Sequence, residues 1–299
     1  MRVFVTGASG WIGSGVVPAL TRAGHEVVGL ARSQEAAARV EALGARARRG
    51  SLDDSDTLGE SARECDAVIH LGYVHDFSRM DEAAALDRRV LATFADALAD
   101  SGKTLMIAAG VAGFDLGRPA TESDEPAGVH PRVANAAYTL GLSARGLRPV
   151  VLRFPPTVHG RGDHGFIARL VEIARERGVS GYVADGASAW SAVHRDDAAR
   201  AVCAALTSSV SVVHAVADEG VASRDIATAI GRGLDLPVVS IAPESAASHF
   251  GWLGLFFAMD ARASSEQTRR ALDWEPREPG LLEDLALGHY FASASDTPH

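Results

Sequence analysis

Three glycines, Gly7, Gly10 and Gly13, follow the short apolar run Arg2-Val-Phe-Val-Thr6 and precede Ile12, Val16 and Leu20, which recur every fourth residue. This pattern reads as a strand, a glycine turn and an amphipathic helix. The chemistry open to it is anion binding. A turn without Cβ atoms lets a phosphate approach the backbone closely, and the helix start presents free N–H groups and a positive dipole end. A pyrophosphate fits such a turn, with Gly7, Ser9, Gly10 and Gly13 as its candidate binders. The spacing is Gly-x-x-Gly-x-x-Gly rather than the Gly-x-Gly-x-x-Gly of the usual dinucleotide fingerprint. The signal therefore lies in the strand before the turn and the helix after it.

The second site is the end of the next strand, Glu26-Val-Val-Gly-Leu-Ala-Arg32-Ser33. An NAD site carries an acidic side chain here, bound to the ribose 2′-hydroxyl. Ala31 and Arg32 stand in its place. Without a carboxylate nothing repels a 2′-phosphate. The Arg32 guanidinium can grip one as a fork, and Ser33 can add a hydroxyl. NADP(H) is the expected cofactor. The competing reading is a solvated Arg32 ahead of a helix that begins near Gln34.

The elements around these residues alternate. Strands are predicted at Arg2–Thr6, Glu26–Leu30, Ala45–Arg49, Ala67–Leu71, Thr104–Ala109, Pro149–Phe154 and Val210–Val216. Helices are predicted at Trp11–Ala23, Gln34–Leu43, Asp54–Glu64, Asp81–Ser101 and Arg132–Arg145, and later at Arg195–Thr207, Ser223–Arg232, Ser264–Leu272 and Leu281–Ala292. Gly24, Gly44, Gly102 and Gly146 end their helices as C-caps do. Gly160–Gly165 and Pro237–Ser248 read as connecting or lobe-forming segments. This alternation predicts an α/β fold with a doubly wound parallel sheet and ligands at the C-terminal strand ends.

Composition sets the outer bounds. The 299 residues are 47% hydrophobic, enough for a full core, and a net charge of −9 argues against a broad nucleic-acid surface. Cys65 and Cys203 form no disulfide framework or metal spacing, and no histidine pair has the helix spacing of a metal site. A reduced, cytoplasmic setting is expected. The chain enters a strand at once, without an export signal. Its most apolar stretch, Phe250–Met259, is about ten residues, against roughly twenty for a membrane span.

Several segments together resemble the extended short-chain dehydrogenase/reductase family, also called the NAD-dependent epimerase/dehydratase family. Thr6-Gly-Ala-Ser-Gly-Trp-Ile-Gly13 is similar to its nucleotide turn, and Gly50-Ser-Leu-Asp-Asp54 to its adenine-contacting Gly-Asp-Leu-x-Asp. Val68-Ile-His-Leu-Gly-Tyr73 is similar to its fourth-strand signature, and Leu152-Arg-Phe-Pro-Pro-Thr-Val-His-Gly160 to its Leu-Arg-x-x-x-Val-Tyr-Gly. Val193-His-Arg-Asp-Asp197 and Thr268-Arg-Arg-Ala-Leu-Asp-Trp-Glu-Pro276 resemble later landmarks. The resemblance implies a Rossmann sheet of about seven strands with a smaller C-terminal substrate lobe. Residues 1–158, with 190–217 returning, would form the dinucleotide domain, and 159–189 and 218–299 the lobe. It also implies phosphate contacts from the Trp11 and Ile12 backbone, and an adenine contact at Leu52, with Ser51 replacing the family's Asp. Leu71, Gly72 and Tyr73 would line the ribose and nicotinamide side, and Pro155, Thr157 and Val158 would flank the carboxamide. A small-molecule substrate and a homodimer are the implied partners.

The family's chemistry rests on Ser or Thr, Tyr and Lys, with Tyr-x-x-x-Lys placed one turn apart on a helix. This chain departs from that set. Tyr138 is followed four residues later by Leu142. Counting back from Gly146 and Arg153 puts the family Tyr at Arg132 or His130 and the Lys at Ala136 or Ala134. Ala108, Ala109 and Gly110 fill the serine positions, leaving Ala108 and Ala109 as cofactor-lining candidates. Replacement proton donors are sought at the ligand edge: Tyr73, His130 and His159 first, with His75, Asp76, Trp190 and His194 nearby. The expected function is NADPH-dependent reduction of a small carbonyl or imine compound. The alternatives are a non-catalytic NADP(H)-binding redox-sensing module and a non-redox lyase or isomerase.

Overall fold

A computed structural model of the chain describes residues 1–74, 79–114, 116–126 and 131–292. Its strands are β1 (Arg2–Thr6), β2 (Glu26–Ala31), β3 (Arg46–Arg49), β4 (Ala67–His70), β5 (Thr104–Gly110), β6 (Arg148–Phe154), β7 (Thr157–His159), β8 (Ser180–Val183), β9 (Ala189–His194), β10 (Val212–His214), β11 (Asp218–Ala222) and β12 (Val238–Ile241). The helices are α1 (Trp11–Arg22), α2 (Gln34–Ala42), α3 (Ser55–Glu64), α4 (Met80–Leu98), α5 (Pro131–Gly141), α6 (Phe166–Arg177), α7 (Arg195–Ala205), α8 (Ser223–Leu234), α9 (Ala246–Phe250), α10 (Leu253–Phe257), α11 (Glu266–Leu272) and α12 (Leu281–Ala286).

Seven strands form one parallel sheet in the order β10-β6-β5-β4-β1-β2-β3. The chain leaves β1 in one direction and returns at β4 on its other side. That reversal opens a crevice at the C-terminal ends of β1 and β4, where ligands bind in doubly wound sheets. Alternation along β1 sends Val3 and Val5 into a core with Val16, Leu20 and Val202, and Phe4 into the opposite core with Leu91 and Phe94. A third core joins Ile167, Leu170, Trp190, Phe250, Phe257 and Leu285. It lies against two small sheets, β11-β9-β7 and β12-β8.

Some expectations are corrected here. The segment after Gly165, for which no element is predicted, is a full helix, α6, whose Ile167, Leu170, Val171 and Ala174 are buried. Pro237–Ser248 contributes a strand, β12, and begins α9. The last helix stops at Ala286, two residues before Gly288, whose φ is 81°. Helix α5 ends at Gly141 and passes into a 3-10 turn over Leu142–Arg145.

The sheet edge carries a built-in acid sensitivity. His214 is fully buried on β10; its Nδ1 lies 2.8 Å from the Ser264 carbonyl, and its Nε2 lies 3.2 Å from Arg153 Nη1. The guanidinium can only donate, so Nδ1 carries the proton and the ring is neutral. Burial, reinforced by Arg153 against the opposing pull of Glu122, lowers its pKa from 6.5 to about 4. Between these values the unfolded chain binds the extra proton and the folded chain does not. Stability therefore falls as pH drops through that window. Melting temperatures from pH 7 downward are expected to decline less steeply in His214→Gln than in the parent chain.

Candidate functional site

The glycine turn is a cradle closed on itself. Gly7 has φ 68°, and a Cβ there would lie 2.7 Å from the Gly72 nitrogen at the end of β4. A Cβ on Gly13 would lie 2.1 Å from the Gly7 carbonyl oxygen. The Gly10 amide donates to that same oxygen at 2.9 Å. Gly10 is the N-cap of α1; no side chain caps this end, and the first turn holds no acidic residue. The helix start keeps its donors and its positive end for an anion. Ser9 is half-buried inside the turn.

Neighbouring residues brace the cradle. The Gly72 amide donates to Thr6 Oγ1 at 3.1 Å, and the Leu71 amide to the Thr6 carbonyl at 3.2 Å. Leu52 packs toward Gly72, its Cδ2 standing 3.4 Å from where a Cβ would be. Trp11 and Ile12, half-buried, open the first turn of α1. The Trp11 indole donates to the Val158 carbonyl at 2.6 Å, with His164 edge-on at 5.7 Å and the Arg195 guanidinium 4.6 Å above the ring. This ties the turn to β7.

At the far end of the crevice two arginines, Arg32 and Arg49, lie on neighbouring strand ends. Arg32 is exposed just past β2. Ser33 is the N-cap of α2, its Oγ accepting from the Ala36 amide at 3.2 Å. Strand register sets Arg49 beside Ala31, and its guanidinium donates to the Arg32 carbonyl at 3.3 Å and to Gln34 Oε1 at 3.2 Å. Arg49 is a candidate that the sequence did not reveal, since Ala45–Arg49 is expected there only as a strand. Ser51 Oγ accepts locally from the Asp53 amide at 3.3 Å.

On the opposite side Pro155 and Thr157 are buried, and Val158 is half-buried. Ala108 and Ala109 close β5 with partly exposed methyl groups, and Gly110 is exposed. None of the three offers a hydroxyl. Tyr138 joins the core between α4 and the sheet, with the Arg88 guanidinium 3.6 Å above its ring. Arg132, at the start of α5, lies with its guanidinium 4.0 Å over the ring of Tyr73. Burial raises the Tyr73 phenol, with Asp87 adding to the rise and Arg132 opposing it.

His159 requires correction. It has no exposed surface, and its Nδ1 lies 2.9 Å from Asp284 Oδ2. Asp284 also holds His289 at 2.8 Å. Pairing of β7 with β9 and docking of α12 seal this imidazole inside, so it anchors the C-terminal segment and does not reach the crevice. His194 caps α7, accepting from the Asp196 amide, and Trp190 belongs to the third core. His130, His75 and Asp76 lie outside the described residues. Among the described residues no cluster of three His, Cys, Asp or Glu could hold a metal, and no helix is long and apolar enough to cross a membrane.

The profile of the NAD dependent epimerase/dehydratase family matches residues 3–217. The chain belongs to this family. Its sheet order, glycine turn and crevice are those of a nicotinamide-dependent epimerase/dehydratase fold, and the cradle fits such a cofactor on its own geometry. The uncharacterized protein C2A9.02 of Schizosaccharomyces pombe is 44% identical over 97% of this chain and 100% of its own length. A ketoreductase of Stigmatella aurantiaca, acting on 4-hydroxy-2-methyl-3-oxo-4-farnesyl-3,4-dihydroquinoline-1-oxide, is 33% identical over 59% of this chain and 56% of its own. Among solved structures, the UDP-glucose 4-epimerase of Thermus thermophilus with NAD superposes with TM-score 0.75 at 23% identity, covering 97% of this chain and 99% of the epimerase. That last likeness concerns the fold.

Proposed function

We propose that this epimerase/dehydratase family member is an NADPH-dependent oxidoreductase that reduces a small carbonyl or imine compound. One observation carries the reading: an uncapped glycine cradle for the pyrophosphate lies in line with Arg32 and Arg49 at the ends of β2 and β3. Gly7, Gly10 and Gly13 admit the phosphates, with Ser9 and the Trp11 and Ile12 amides as donors. Arg32, Arg49 and the Ser33 end of α2 hold the 2′-phosphate. Leu52, Leu71, Gly72, Ala108, Ala109 and Val158 line the remaining length.

The bound cofactor supplies the hydride. The protein must then place the acceptor and deliver a proton. Tyr73 is the proposed donor. It stands just beyond the C-terminal end of β4, and its phenol, protonated at neutral pH as phenols are, is raised further by burial. Once the proton has moved to the carbonyl oxygen or imine nitrogen, Arg132 stabilises the phenolate left behind. A phenol and a cation are thus both present, as in the family's helix pair, but they arrive from two elements instead of one. The substrate would meet them between the sheet and the lobe of residues 159–189 and 218–299.

Two relatives support a reduction: the ketoreductase above and the 3-diazoavenalumate denitrifying reductase of a Streptomyces species, 27% identical over 95% of this chain. NADPH oxidation across a panel of ketones, quinones and imines tests the reading, and Tyr73→Phe should slow the best substrate about a hundredfold. Turnover with NADPH is the expected result. Tight NADPH binding with no turnover across the panel would favour a non-catalytic redox-sensing module instead, the reading that the vacant Ala108, Ala109 and Gly110 positions support.

A further inference from the structure

The turn between β7 and α6, Gly160–Gly165, is held from two sides. On one side it clasps the Trp11 indole. That ring donates to the Val158 carbonyl at 2.6 Å, His164 stands edge-on to it at 5.7 Å, and a Cβ on Gly162 would lie 3.8 Å from its Cζ3. On the other side the turn is tied by Tyr290, four residues beyond the end of α12. The Tyr290 hydroxyl accepts from the Gly160 amide at 3.3 Å and donates to Asp163 Oδ2 at 2.8 Å. Asp163 Oδ1 accepts from the Gly165 amide at 2.6 Å, and the Asp163 amide donates to the Gly160 carbonyl at 3.0 Å. One phenol thus closes the neck of the turn.

The turn itself is mostly exposed, at Arg161, Gly162, His164 and Gly165. Gly160 and Gly162 have φ 139° and 86°, backbone that a side chain would strain. The Tyr290 ring, by contrast, is fixed without its hydroxyl. It is 9% exposed, belongs to the third core and lies 4.5 Å from the His289 ring, and Arg175 donates to the Tyr290 carbonyl at 3.4 Å. Taking away the hydroxyl alone leaves the Gly160 amide and one Asp163 oxygen without this partner, so the loss falls on the turn and not on the core. Burial already raises the Asp163 carboxyl, against the pull of the Gly165 amide and the Tyr290 hydroxyl.

Trp11 is the first residue of α1, and its backbone amide is among the donors assigned above to the pyrophosphate. Where its indole rests sets where the helix start sits. We propose that Tyr290 is a positioning residue for the cofactor: by tying the Gly160–Gly165 turn across its neck, it holds the turn against the Trp11 indole and keeps the start of α1 in place for the phosphates. This role rests on the reading of Gly7–Gly13 as the nucleotide cradle. Linkage makes the coupling reciprocal. If the tie tightens nucleotide binding, bound nucleotide tightens the tie.

Calorimetry with NADPH and amide hydrogen exchange test this on the full chain. Tyr290→Phe should fold, keep its ring packed and bind NADPH about tenfold more weakly. Asp163→Ala, which cuts the tie from the turn side, should show a loss of the same size. The double variant Tyr290→Phe/Asp163→Ala should lose no more than either single one, because the two groups act as one contact. NADPH should slow exchange at the Gly160–Gly165 amides in the parent and much less in Tyr290→Phe. A hydroxyl that serves stability alone would lower the melting temperature and leave the dissociation constant unmoved. That result overturns the proposal, as do additive losses in the double variant. If Tyr290→Phe does not fold, Asp163→Ala decides by the same titration, with unchanged affinity as the contrary result. No NADPH binding by the parent sinks the cradle reading together with this role, whereas full affinity in folded Tyr290→Phe sinks the role alone.

Discussion

Gly13→Ala is expected to lose NADPH binding by at least a hundredfold and to lower the melting temperature as well. The new methyl group would lie 2.1 Å from the Gly7 carbonyl oxygen, 2.8 Å from the Ala8 oxygen and 2.9 Å from the Ala8 carbonyl carbon. All three are backbone atoms inside a turn already pinned by the Gly10 amide, so none can rotate away as a side chain would. Either the turn opens or α1 moves, and both displace the donors at the helix start. Overpacking a tight core costs about 1–3 kcal/mol, which a chain of this size can survive. Gly141→Ala serves as the control, because an added Cβ there meets nothing within 4 Å. Calorimetry with NADPH and a thermal melt of both variants check the expectation. Unchanged affinity in folded Gly13→Ala would mean that the phosphates lie elsewhere.

The second large effect concerns cofactor choice. Arg32→Gln/Arg49→Gln should weaken NADPH by about tenfold to a hundredfold, the range of one or two charge-assisted hydrogen bonds to a phosphate. NADH, which lacks the 2′-phosphate, should keep its affinity within about twofold. Both arginines are exposed, so salt screens the contact and the difference should shrink at high ionic strength. Arg49→Gln alone should show part of the loss, since its guanidinium reaches the Arg32 carbonyl and Gln34. The readout is the ratio of the two dissociation constants in each variant. Equal losses for NADPH and NADH would place the two guanidinium groups outside the 2′-phosphate site.

The first crossover was fully legible in the residues. Gly7, Gly10 and Gly13 punctuate the chain where the strand must turn, and the four-residue spacing of Ile12, Val16 and Leu20 marks the buried face of α1. The parallel sheet follows from the same alternation, repeated. Legibility fell where elements shorten. Strands β7, β8, β11 and β12 have three to five residues each, too few to show a period of two, and pairing with distant partners makes them strands. In α6 the apolar spacing was present, yet the flanking glycines masked its start.

The site divides in the same way. Contacts made by backbone shape were readable from residue type, because only glycine fits where Gly7 and Gly13 sit. Contacts made between elements were not. Arg49 reaches Arg32 only through the register of β2 with β3. Arg132 reaches Tyr73 only because α5 packs against α4, β5 and β6, which brings its first turn over the segment that follows β4. His159, one residue before a glycine, reads as a loop residue at the ligand edge until its pairing with β9 and the Asp284 carboxylate show it sealed inside. The proposed substitute for the family's Tyr-x-x-x-Lys is therefore a tertiary feature, spread over segments that share no local pattern.

The most direct test of the account is calorimetric titration of the purified chain with NADPH and, separately, NADH. The account predicts one site per chain, with NADPH bound more tightly than NADH and that preference abolished in Arg32→Gln/Arg49→Gln. No binding of either nucleotide, or a preference for NADH, would contradict it.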